Sequence, residues 1–201
     1  MRIRSLSLVL LLAASAASAV PRWHWEDDFS RREQARLVAW IEHADRGIEA
    51  LFGDLPFAYD VHFHRLDNRG EPVPWANTSK RYNGRAVNFH VDVRHSQEDF
   101  IADWTASHEI SHLLFPYVGR DGMWFAEGIA SYIQYQAMYA NGVLSWEQAI
   151  RRYADRFDRA ERTSRVGNTP VAEMPRNIRQ SRAYVRMYWG GAAYFLEVDR
   201  R

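Results

Sequence analysis

The chain has 201 residues, no cysteine, and 26 Lys and Arg against 25 Asp and Glu, a formal charge of +1. A balance so near neutral gives no basic footprint for nucleic acid, and zero cysteine excludes a disulfide scaffold and any thiolate metal site. Chemistry must then come from His, Asp, Glu, Ser, Thr, Tyr or Lys.

Met1-Arg2-Ile3-Arg4 precedes an apolar run from Leu6 to Ala14 and small residues at Ala17 and Ala19, the pattern of a secretory signal peptide. The run is shorter than the roughly 20 residues that span a bilayer. Cleavage after Ala19 is expected, with export to the periplasm or beyond and no stable membrane insertion afterwards. Residues 20–201 then form one domain, large enough to bury a core without staples. Loss of Arg2 and Arg4 leaves 24 basic against 25 acidic side chains.

Ser30 with Glu33 is a capping box, and Leu37, Ile41, Ala44, Ile48 and Leu51 form an apolar stripe that stops at Gly53, which predicts a first helix. Phe57 to Phe63 and Val87 to Val93 alternate apolar and polar residues as half-buried strands, with Pro72, Pro74 and the turn pair Asn83-Gly84 between them. His62, His64, His90 and His95 fall on or near these strands as solvated side chains. Ser96 opens a second helix expected to run unbroken through His108 and His112 to Phe115. A third starts near Met123 and ends at Asn141-Gly142, Ser145 with Gln148 caps a fourth, and a last segment runs from Arg182 to Val198. The Arg-rich stretch from Arg151 to Arg165, interleaved with acids, is expected to be a solvated helix face. Strands followed by helices predict an α+β fold, a small antiparallel sheet packed on a mainly helical half.

His108-Glu109-Ile110-Ser111-His112 is His-Glu-x-x-His inside a predicted helix. Residues four apart share a face, so both imidazoles can bind one ion while Glu109 stands beside them to take a proton from water. A catalytic zinc takes a third protein ligand. Phe115 and Val118 stand where the extended motif would need Gly and His, which leaves the carboxylates Asp121 and Glu127. Glu127 is the better candidate, because it lies one turn into an apolar helix where an unpaired carboxylate is costly to bury. Ser131, one turn on, is a candidate hydrogen-bond partner for a ligand.

Together with Trp124-Phe125-Ala126-Glu127-Gly128-Ile129-Ala130-Ser131-Tyr132, this motif resembles the gluzincin zinc metallopeptidases. Tyr188-Trp189-Gly190-Gly191-Ala192-Ala193-Tyr194 extends the resemblance to the catalytic domain of the glycyl aminopeptidase family. It implies a thermolysin-like zincin fold, one catalytic Zn2+ held by His108, His112 and Glu127, Glu109 as general base, and Tyr188 as a donor to the oxyanion. The substrate it implies is a peptide or protein, and the strand from Val87 to Val93 is a candidate edge for it to lie against. Only fourteen residues separate His112 from Glu127, Gly190 stands where the aminopeptidase pattern often has Lys, and no Gly-x-Met-Glu-Asn segment is present, so exopeptidase specificity does not transfer. The alternative is a catalytically silent envelope protein that keeps the fold for binding.

Overall fold

The computed structural model describes residues 20–67, 70–79, 84–162 and 167–201. The signal-peptide segment 1–19 and Asn83 of the turn pair lie outside them. Among the described residues no helix is long and apolar enough to cross a membrane.

Among the described residues four strands form one sheet: β1 (Arg22–Trp25), β2 (Asp60–Arg65), β3 (Trp75–Ser79) and β4 (Ala86–Val91), in the order β1-β2-β4-β3. β1 and β4 both run parallel to β2, and β3 runs antiparallel to β4. The sheet is therefore mixed, which corrects the expected antiparallel one. The cause lies in helix α1 (Arg31–Phe52), which carries the chain from β1 back to the start of β2, the crossover that parallel neighbours require. Asn83-Gly84 falls between β3 and β4, so it belongs to the connection of that antiparallel pair, with no direct link from β2. β4 has a neighbour on each side, and the edges of the sheet are β1 and β3.

The capping box at Ser30 forms as expected, with each partner's backbone N–H bonded to the other's side chain. Gly53 ends α1 at a φ of 78°, a conformation that favours glycine. α1 lays Leu37, Trp40, Ile41 and Ile48 against Val61, Phe63, Val87 and Phe89 of the sheet. Trp40 meets Phe89 at 4.9 Å between ring centroids, and full burial of each such side chain stabilises the fold by about 1.5–3 kcal/mol. The opposite face of the sheet is polar. There His24 stacks on His62 and His64 on His90, while Asp60 and Glu26 bond His24 and His62. These histidines join no metal-holding group among the described residues.

The helical half comprises α2 (Gln97–Ala102), α3 (Thr105–Leu113), α4 (Met123–Ala140), α5 (Trp146–Arg162), a 3-10 helix (Val171–Asn177), α6 (Ile178–Ser181) and α7 (Tyr184–Asp199). The expected helix from Ser96 to Phe115 is thus two helices. Asp103 is extended, with ψ 137°, and its carboxylate accepts from the Thr105 N–H at 2.8 Å, so the chain is re-aimed before the His-Glu-x-x-His segment. α4 crosses α1 closely at Gly47, where a Cβ would stand 2.5 Å from the Ala137 carbonyl oxygen. That contact ties the helical half to the element that covers the sheet.

Candidate metal centre

α3 is buried on almost every side, from Thr105 to Ser111, which holds its side chains in fixed directions. His108 and His112 project from one face of it, their ring centroids 4.9 Å apart and nearly perpendicular. α4 brings Glu127 to the same point. One ligand atom from each of these three residues lies within 4.8 Å of the others, so the group could hold a metal ion. Asp121, exposed in the turn before α4, is not part of it.

The distances within the group suit a ligand set around one ion. Glu127 Oε2 stands 3.2 Å from His108 Nε2 and 3.4 Å from His112 Nε2. Charge-assisted N–H to carboxylate bonds are usually about 2.7–2.9 Å, whereas tetrahedral ligands at about 2.0–2.1 Å from an ion stand about 3.3 Å from each other. The spacing fits an ion between them. The far nitrogen of His108 supplies a second test. His108 Nδ1 lies 2.8 Å from Gln134 Oε1, an acceptor, so Nδ1 carries the proton and Nε2 turns its lone pair to the group. Gln134, fully buried and seven residues after Glu127 on the same helix, fills the role for which Ser131 was one candidate. Nothing in its type or spacing distinguishes it from a core glutamine.

Electrostatics bind the group together. Burial raises the Glu127 carboxyl, but His108 and His112 hold it well below the usual carboxylate range. Burial likewise lowers His108, and the Glu127 and Glu109 carboxylates more than offset this, so its net shift is upward. Tyr188 comes from α7, its ring stacked on His108 at 6.2 Å between centroids. Burial, then the charges of Glu127 and Glu109, push its phenol well up, so the proton stays on oxygen at neutral pH. Trp104 meets His108 edge-on at 5.4 Å.

Glu109 points to the sheet. Its carboxylate Oε2 and its own carbonyl oxygen each lie 2.8 Å from Thr78 Oγ1 on β3, so the hydroxyl donates to one or the other and clamps α3 to the edge strand. Neither Thr78 nor its strand was visible in the sequence. A cleft of about 1300 Å³ runs over the whole group, with Trp75 and Thr78 on one wall and Tyr184 and Tyr188 on the other.

The Tyr188 contact depends on two glycines. A Cβ on Gly128 would stand 2.7 Å from Gly191, and one on Gly191 would stand 2.5 Å from the Trp124 carbonyl oxygen. α4 and α7 therefore touch backbone to backbone beside Glu127, which lets a tyrosine one turn before Gly191 stack on His108. No family model, no curated protein and no solved structure matches the chain.

Proposed function

We propose that this chain is an exported zinc-dependent peptidase of the gluzincin type, with a thermolysin-like catalytic domain, acting on peptides or proteins. The observation that carries the reading is the convergence of His108, His112 and Glu127 at ligand spacing, with Glu109 held beside them by Thr78. Two imidazoles and one carboxylate are a donor set that suits zinc and leaves a fourth position open. When bound, zinc would polarise the scissile carbonyl and lower the pKa of water towards 7. Glu109 takes the proton from the attacking water and returns it to the leaving amine. Tyr188 keeps its phenolic proton and donates to the developing oxyanion. The cleft exceeds the roughly 300–1,000 Å³ of small-molecule pockets, which suits a polymer. β3 is the sheet edge that borders it, so an extended substrate adds to β3, with the interior strand β4 behind.

The test is zinc content together with hydrolysis of a mixed peptide library, for the wild type and for Glu109→Gln. One zinc in both, with cleavage lost by about a hundredfold or more in the variant, supports the reading. Zinc in both with cleavage in neither points to a fold kept for binding, and no zinc in either removes the site.

A further inference from the structure

Two arginines on the helical side of the cleft have no part in the metal centre. Arg120 lies in the turn before α4 and Arg179 on α6, and both line the cleft. One apolar cluster roots them. Ile178, next to Arg179, is buried with Met174 and Met187, and Met123 and Tyr188 pack against that group. The Met123 N–H in turn donates to the Arg120 carbonyl at 3.2 Å. Both arginines therefore start from the cluster that backs Tyr188, the ring stacked on His108. Arg182 closes α6 at a φ of 52°, and α7 begins two residues later, so Arg179 and Tyr184 flank one tight turn and both line the cleft.

The charge on this side is unopposed. Both arginines are exposed, and among the described residues neither guanidinium has an acidic partner, a hydrogen bond or an aromatic face. Three acids line the cleft. Glu109 is held by Thr78, and Glu127 belongs with His108 and His112. Glu71 acts on Asp103, before the start of α3, whereas Arg120 follows the other end of that helix. Between Val171 and Arg186 there are four arginines and one acid, Glu173. A cleft lined by one sign of charge focuses its field on what enters.

We propose that Arg120 and Arg179 make the cleft selective for acidic peptides, each bonding an Asp or Glu side chain of a chain laid along β3. The proposal rests on the peptidase reading above and gives its substrate class. A guanidinium presents two parallel N–H groups that match a carboxylate. β3 offers main-chain groups that a peptide pairs in register and other polyanions do not. An exposed ion pair contributes a factor of about five at most, so a chain that meets both arginines gains about tenfold or more.

The test uses a fluorescein-labelled, alanine-rich decapeptide with four glutamates and its twin with four glutamines. Cleavage is measured on the zinc-loaded wild type, and binding by fluorescence anisotropy on zinc-loaded Glu109→Gln. The glutamate peptide should lead by about tenfold in kcat/KM and in Kd, and raised salt should erode the lead. Arg120→Glu and Arg179→Glu, each at an exposed position, should each cut the lead by about fivefold, and the double variant should abolish it. Unfolding midpoints show that the variants are folded. Equal treatment of the two peptides by the wild type overturns the proposal and leaves the peptidase reading intact. So does a lead that survives in the double variant, since it would come from the metal. A lead in binding that the double variant loses, with no cleavage of either peptide, upholds acidic recognition and removes the peptidase. Neither binding nor cleavage overturns both.

Discussion

Substituting Gly128 by alanine tests whether the α4–α7 backbone contact builds the site. The added methyl would lie 2.7 Å from the Cα and carbonyl carbon of Gly191 and 3.2 Å from the Ala192 nitrogen. Ordinary carbon contacts are about 3.5–4.0 Å, so the helices must part by roughly 1 Å. Helix propensity alone would favour alanine by about 1 kcal/mol. Overpacking costs about 1–3 kcal/mol, and the upper end applies because backbone has no rotamer to swing away. The net loss is about 2 kcal/mol, or about 4–8 °C in melting temperature for a domain of this size. Parting the helices also draws Tyr188 from His108, so on the proposed function the rate should fall while zinc stays bound. Gly190→Ala is the control. Its Cβ would meet the Val171 side chain, nearest at the Cγ2 methyl at 2.7 Å, and no backbone atom among its nearest neighbours, so its cost should be much smaller. Thermal denaturation followed by circular dichroism decides. A Gly128→Ala variant as stable as the wild type, or a Gly190→Ala variant that loses as much, would refute the reasoning.

Gln134→Leu leaves the His108 Nδ1 proton buried without its acceptor, and should weaken zinc by about 10–100-fold in competition with a chelator. Thr78→Val frees the Glu109 carboxylate and should lower kcat by about 10–100-fold with one zinc retained, so steady-state kinetics beside metal analysis checks it. Asp45 gives a pH prediction. Burial raises its carboxyl to about 7, against the lowering effect of the Tyr59 hydroxyl that donates to it at 2.7 Å. The unfolded chain loses this proton near pH 4 and the folded chain only near pH 7, so the contribution to stability is full below pH 4 and is lost as pH rises to 7. The loss is on the order of 4 kcal/mol. Asp45→Asn should remove that slope, seen as wild-type and variant melting temperatures compared at pH 4.5 and pH 8; parallel curves would rule it out.

The residues of the candidate centre were legible because helical spacing is local. His108, Glu109 and His112 need only a period of 3.6, and Glu127 needed only an apolar helix that would not bury a lone carboxylate. The first helix, its capping box and its glycine stop were visible for the same reason. Pairing in the sheet was not. β1, Arg-Trp-His-Trp, alternates but over only four residues, and β3 is Trp-Ala-Asn-Thr-Ser, polar and half-exposed, without the alternation that marks a half-buried strand. Their partners are set by long-range hydrogen bonds, and without them an antiparallel sheet and a docking edge at Val87 to Val93 were the local inference. The break at Asp103 was hidden because apolar spacing continues across it.

Those two hidden features decide how the visible motif is used. With α2 and α3 as one straight helix, the direction of the His-Glu-x-x-His segment would be fixed by the Ser96 cap alone. The extended Asp103 uncouples it, and α3 is aimed instead by what it packs on. Thr78 bonds Glu109 from the sheet side, while Glu127, Gln134 and Tyr188 fix His108 from the helical side. Glu109 is therefore tied to the sheet and the His108, His112 and Glu127 group to the helices, and α3 is where they meet. Damage to the sheet edge should then strike rate before metal binding, and damage within α4 should strike metal binding first. Thr78→Val and Gln134→Leu separate the two. If both variants lost metal and rate together, the centre would be a single cooperative unit and this division would be wrong.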